Sequence, residues 1–370
     1  MEKILKLSIS WILASSTMAA HAGISIIDNE KGNFSIGGNV ELNFNYQDRD
    51  SNENGKSEFN QDGRVLVEFE GERYTESGYF VGVKAQPLFG STGDVNLDDA
   101  YFEFGKVDGW KIKAGRFEAY DMFPVGLDVF LEYSGDTSNN LYSDGSVYAY
   151  QSKEGRGRGS DGQVMYSQSF DNIYVEIGAM LGDRTGLFND SYHGQVVNKD
   201  ESEDGITIRP VVAYQMGNYR IAASVETNLI SDTVVTDNGV DISERTGYGL
   251  TGNWSQGNWS VNANFAYLDA VDETNTSAGI NMLYKRIGLG YVYATNTYEN
   301  QDISNWADGD VDVSTWYASY AFDDVIDVEN FSVLLGSYFT SVNNKLDAGT
   351  SQDFAEDDDF GARIRLFYSF

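Results

Sequence analysis

Apolar and polar residues alternate at period two along most of this chain. Past the first two dozen residues no apolar run approaches the ~20 residues of a membrane-spanning helix. Over 33–47, Phe34, Ile36, Val40, Leu42, Phe44 and Tyr46 fall on one side; Ser35, Asn39, Glu41, Asn43 and Asn45 fall on the other. Near 63–73, Val65, Val67 and Phe69 oppose Arg64, Glu68 and Glu70, and near 79–88 Tyr79, Val81 and Val83 oppose Lys84 and Gln86. The last segment sets Phe360, Ala362, Ile364, Leu366, Tyr368 and Phe370 against Gly361, Arg363, Arg365 and Ser369, with Phe367 the one apolar intruder. A strand with lipid on one face and water on the other needs this split. The pattern therefore implies an all-β membrane barrel that makes a pore.

The same reading places further strands near 96–105, 110–118, 161–170, 172–181, 205–215, 218–229, 244–255, 258–268, 277–284, 286–297, 311–322, 331–341 and 359–370. Asp108-Gly109, Asp171-Asn172, Gly217-Asn218 and Gly257-Asn258 are hairpin signals. Long connections are expected at 48–61, 89–95, 119–160, 182–204, 230–243, 269–276, 298–310 and 342–358. The total is a 16-stranded antiparallel transmembrane β-barrel, with short turns at one end and longer loops at the other. A barrel of this size leaves an aqueous lumen. The alternation of 244–255 is weak enough to leave fourteen or eighteen strands as alternatives. Pro210 falls inside a strand, where it removes a ladder bond unless a bulge accommodates it. Arg116 shares the parity of Trp110, Ile112 and Ala114, which puts it at the rim or after a bulge.

The rest of the composition agrees. Tight turns and aromatic girdles suit a chain with 39 Gly, 24 Tyr and 21 Phe against 3 Pro. Lys3 and Lys6, the apolar Trp11-Ile12-Leu13 and the Ala20-His21-Ala22 site are those of a secretory signal peptide over 1–22. The barrel domain is then 23–370. With no Cys, stability must come from barrel closure. A net charge of -32, placed mostly between strands, argues against nucleic acid as a partner. It serves loop solvation, or cation bridges to the anionic outer leaflet.

Catalysis finds little support. His193 is the one His of the barrel domain, and no Gly-x-Ser-x-Gly elbow accompanies it. It is expected as an exposed loop residue. Asp308-Gly-Asp-Val-Asp312 lacks the sixth-position Gly and closing Glu of a calcium loop, so no metal and no cofactor are expected. The Gly155–Gly159 run gives backbone freedom where a loop rejoins the wall.

The connection 119–160 is the longest. Tyr120, Phe123, Phe130, Tyr133, Tyr142, Tyr148 and Tyr150 alternate there with Asp121, Asp128, Glu132, Asp136 and Asp144. So many aromatics need something to pack against, and the barrel interior is the natural place. Phe123 and Phe130 are expected as anchors; Tyr120 and Tyr133, beside carboxylates, are candidates for solute contact. By parity Arg64, Lys84, Lys111, Lys113, Arg209, Arg220, Arg363 and Arg365 point into the lumen, with Arg116 beside them. Asp121, Asp128, Glu132 and Asp136 would face part of that basic wall, and opposed charge across a narrow opening sets selectivity.

Three features resemble known families. The C-terminal aromatic resembles the closing strand of bacterial outer-membrane barrels. The architecture resembles the trimeric porins, whose third loop folds into the lumen. The stretch 109–136, GWKIKAGRFEAYDMFPVGLDVFLEYSGD, resembles the raffinose and sucrose type of carbohydrate porin. The Pro-Glu-Phe-Gly-Gly motif of enterobacterial general porins is absent, so their constriction residues do not carry over. The resemblance implies a homotrimer in the outer membrane of a Gram-negative bacterium, in contact with lipid and lipopolysaccharide. It would pass small hydrophilic solutes, sugars by preference, without enzymatic activity. The alternatives are a general ion-conducting diffusion porin, a structural or adhesive barrel, and an outer-membrane hydrolase.

Overall fold

The computed structural model describes residues 23–49, 57–127, 147–152, 162–188, 190–299, 308–344 and 358–370. The segment 1–22 lies outside them. Sixteen antiparallel strands make the barrel: β1 Gly32–Arg49, β2 Glu58–Tyr74, β3 Tyr79–Gly90, β4 Val95–Lys106, β5 Trp110–Arg116, β6 Gly162–Phe170, β7 Ile173–Gly182 and β8 Gly205–Met216. The second half is β9 Tyr219–Asn228, β10 Thr246–Gln256, β11 Trp259–Ala270, β12 Glu273–Tyr284, β13 Ile287–Tyr298, β14 Gly309–Phe322, β15 Phe331–Asn344 and β16 Asp358–Ser369. Each pairs with its neighbour in sequence, and β16 closes on β1 from Asn39–Ser369 to Arg49–Asp359. Beyond that seam β1 is longer than β16. Its free edge takes two bonds from Phe370, whose N–H and C=O meet Gly38 at 3.0 Å each. The short strand Ile24–Asn29 folds back on Gly32–Ile36 just below.

The wall is inside out relative to a soluble protein. On β12 Ile280 is 53 % exposed while its neighbour Asn281 is 2 % exposed. Apolar parity faces outward, to lipid, and polar parity faces inward. Outward aromatics gather toward the ends, as in Trp259 against Tyr284 and Tyr46 against Phe59.

Turn chemistry explains most connections. Asp108, Asp171, Gly217 and Gly257 all hold the left-handed φ that tight hairpins require. The expected long connections at 89–95 and 269–276 are corrected. The first is a four-residue turn between β3 and β4; the second is Val271-Asp272 alone, with Asp272 at φ 54°. Thr274, Asn275 and Thr276 read as loop because they are polar, but they belong to β12. β14 and β15 are joined by the eight residues that their expected bounds left between them, which hold a short 3-10 turn at Val325–Asp327.

Two irregularities matter. Pro210 keeps its place opposite Ile177, while the ladder to β9 skips from Ile208–Thr227 to Val211–Ser224. The missing donor thus falls in a gap of the ladder. Between β3 and β4 the register shifts from Ala85–Ala100 to Pro87–Leu97, leaving two residues opposite one. That bulge turns the consecutive Asp98 and Asp99 both toward the lumen.

The fourth and fifth loops fold back over the barrel mouth. A 3-10 turn at Thr185–Phe188 and the short strands Ser191–Tyr192, Gln195–Asn198 and Val235–Thr236 carry a buried core of Leu187, Phe188, Tyr192, Val197, Val234 and Ile242. It packs on Val292 and Ala294 of β13 and Val311 and Val313 of β14. The inward parity turns apolar on those strands because loops, not water, cover it.

Candidate functional site

Residues 117–127 and 147–152, the described parts of the third loop, are anchored on the polar parity of six strands. Arg209 of β8 is the first anchor. Its Nη1 lies 3.2 Å from Glu176 Oε1 of β7, and its Nη2 donates to the main-chain oxygens of Tyr120 (2.6 Å) and Ser152 (3.0 Å). Glu176 also accepts from the Tyr120 N–H at 3.1 Å and from the Tyr174 hydroxyl at 2.7 Å. Both charges are buried, and each hydrogen bond offsets part of their desolvation. Arg209 is therefore covered by the loop it holds and does not stand on the open wall its parity suggested.

Asparagines make the second anchor. Asn253 donates to Asn262, and Asn262 to Asn281, at 2.8 Å each. Asn281 and Asn264 then both donate to the Pro124 carbonyl, at 2.6 and 2.9 Å. Farther along, Asn275 and Asn296 donate to the Tyr148 carbonyl at 3.0 Å each, and Ser277 donates to that of Tyr150. Gly247 on β10 leaves the space that the Tyr150 hydroxyl occupies; a Cβ there would overlap it. Phe123 is fully buried in the loop core, the anchoring role expected of it.

His193 is a correction. It is fully buried, with Nε2 2.9 Å from Glu273 Oε2, its ring stacked on Tyr192 at 4.1 Å and edge-on to Tyr298. Tyr148 donates to the other oxygen of Glu273. The third loop, fourth loop and β12 thus meet on one carboxylate. Above them Arg245 lies over the Phe188 ring at 5.1 Å, and burial pushes its guanidinium down to about 10.

This packing occupies the β11–β15 side of the interior. On the opposite side is a cavity of about 890 Å³. Glu41 of β1, Glu68, Glu70 and Glu72 of β2, Asp98 and Asp99 of β4 and Glu118 of the third loop line it, with Arg64 and Lys84. Arg64 lies 3.0 Å from Glu41 and 3.5 Å from Asp98; Lys84 lies 2.9 Å from Glu68. Arg363 and Arg365 donate to Asn45 and Asn43 at 2.7 and 2.8 Å, and Arg365 lies 3.7 Å from Glu41. Arg116, at the end of β5, donates to the main-chain oxygens of Leu97 and Asp98, a rim position.

A second cavity, of about 190 Å³, brings Lys111, Lys113, Tyr120 and Arg220 together with Glu103, Tyr174 and Glu176. Glu118 borders both cavities. The Lys113 ammonium sits 4.0 Å from the centre of the Tyr101 ring, and Tyr120 stacks on Tyr174 at 5.8 Å. Asp121 turns away to cap the Phe123 N–H at 2.8 Å. Asp128, Phe130, Glu132, Tyr133 and Asp136 lie outside the described residues. Glu41, Glu68 and Glu70 stand on the inner face that their parity assigns, beside the basic residues expected there. Asp98 could not be found that way, because a bulge reverses its side.

A family model described as porin-like glycoporin RafY matches residues 15–370. No curated relative matches the chain. Solved structures share the fold. The OmpF complex with daunomycin from Salmonella typhi has a TM-score of 0.61 at 13% identity, over 94% of this chain and 100% of that one. The anion-selective porin of Comamonas acidovorans has 0.61 at 11%, over 92% and 100%. The trimer form of in-vitro folded OmpT, an outer membrane protein of Vibrio cholerae, has 0.56 at 13%, over 92% and 100%. The chain crosses the Gram-negative outer membrane many times as a closed sixteen-stranded barrel, and it belongs to the porin-like glycoporin RafY family.

Proposed function

We propose that this porin lets small hydrophilic solutes diffuse down their gradients, with a preference for sugars and no enzymatic activity. The observation that carries the sugar preference is the 190 Å³ cavity. It is lined by Tyr120 and Tyr174, which stack on each other, with Lys111, Lys113, Arg220 and Glu118, and the larger opening adjoins it through Glu118. Sugar rings have apolar faces that stack on aromatics and hydroxyls that bond to such polar rims. The third loop narrows the lumen here, its limbs held by Arg209 and the asparagines. Arg64, Lys84, Lys111, Lys113, Arg220, Arg363 and Arg365 would contribute to the polar lining of the passage, with Arg116 at its rim.

The protein works as a homotrimer in contact with lipid and lipopolysaccharide. The likeness of the fold to the trimer form of Vibrio cholerae OmpT supports this, as does the apolar outer face. Engagement of the buried His193 by Glu273 supports a channel over a hydrolase, since it leaves the imidazole no approach to a substrate. The deciding experiment is single-channel conductance in a planar bilayer, titrated with neutral oligosaccharides. Three-step closures with saturable block are expected. Conductance without block would leave a general diffusion pore, and no conductance would overturn the porin reading.

A further inference from the structure

The open passage is strongly asymmetric in charge. Seven carboxylates line the 890 Å³ cavity against two bases, and both bases already lie within 3.5 Å of carboxylates in the same wall. Glu68, Glu70 and Glu72 follow one another at alternate positions of β2, so they form a file about 7 Å apart along the strand, which climbs the wall of the passage. Two strands along the same wall, the β3–β4 bulge adds Asp98 and Asp99 together. The apolar packing on β11–β15 keeps solutes off the far wall. Passage therefore runs beside the acidic file, within the ~8–10 Å over which charge acts at physiological salt. Fixed charge of one sign along a low-dielectric wall concentrates counter-ions and repels co-ions.

We propose that this porin selects cationic over anionic solutes, and that Glu68, Glu70, Glu72, Asp98 and Asp99 determine that selectivity. The inference rests on the diffusion-pore reading and assigns it a class of solute. Of the basic residues that parity puts inside, Arg64, Lys84 and Arg365 sit against carboxylates of this wall and Arg209 is buried against Glu176. Lys111, Lys113 and Arg220 line the smaller cavity with Glu103, Glu118 and Glu176, and Arg363 is left beside the acidic arc with an amide partner.

The test is the zero-current potential of the full-length protein in a planar bilayer under a steep KCl gradient. The expected sign is that of K⁺ preference, several-fold over Cl⁻, shrinking as total salt rises. The triple variant Glu68→Gln, Glu70→Gln, Glu72→Gln keeps side-chain shape and hydrogen bonding, and its potential should fall by at least half. The pair Asp98→Asn, Asp99→Asn is a second, independent reading should the triple variant fail to insert. A steady conductance with zero or Cl⁻-signed potential in the native protein overturns this inference and leaves the pore reading intact. An unchanged potential in both variants overturns the assignment of residues. Absence of any conductance overturns the pore reading, and this inference with it.

Discussion

Arg209 of β8 holds Tyr120 of the third loop by its main-chain oxygen, 2.6 Å from Nη2, while the same guanidinium neutralises Glu176. One side chain thus joins the wall to the loop and satisfies a buried acid. Arg209→Ala leaves Glu176 buried without its cation, a loss of about 3–5 kcal/mol. The expected outcome is a lower unfolding temperature on heat-modifiability gels, with larger and noisier single-channel steps. Unchanged steps would mean that the loop limb is held elsewhere.

Gly247 and Tyr150 fit only because the glycine has no side chain. Gly247→Val should cost about 1–3 kcal/mol through overpacking. Adding Tyr150→Phe removes the hydroxyl that a Cβ meets, so the double variant should recover part of the loss. Denaturant midpoints of the refolded barrels measure both.

His193, Glu273 and Tyr148 tie two loops to β12. His193→Ala removes one partner of a buried carboxylate and should cost about 1–3 kcal/mol. The effect should be local: proteinase K added to intact cells should cut the fourth loop faster, while the barrel stays folded.

Tyr120 and Tyr174 are stacked at the smaller cavity. If a sugar packs there, Tyr120→Ala removes about 1 kcal/mol of aromatic contact, or roughly five-fold in the concentration of sugar that blocks the current. Block titrations of both proteins with one oligosaccharide compare them directly. An equal blocking concentration would place the sugar elsewhere.

The barrel itself was legible because lipid outside and water inside write a period of two into every strand. All sixteen strands fall within a few residues of their expected places. Errors arose where polarity had another cause. Thr274, Asn275 and Thr276 are polar and yet paired, Asn275 because it bonds the third loop. Val311 and Val313 are apolar at inward positions because loops cover them. Burial of His193 was not legible, since Glu273 lies eighty residues away along the chain. The basic residues of the wall were found by parity, but their partners depend on register. Asp98 shows the limit most plainly: a single extra residue in β4 reverses its side, and the sequence marks that bulge only through Pro87 opposite.

Packing the loops on β11–β15 divides the circumference into two arcs with different duties. One arc bears the weight of the folded loops, and its residues answer to fit. The other is lined, among the described residues, by charged side chains and answers to whatever is carried. Apart from Phe367, Ser369 and Phe370 of the closing strand, the described residues that line that arc come from 23–118. The charge preference proposed for the pore is thus written in the first third of the chain, and it could be retuned there without disturbing the packing that keeps the mouth in order.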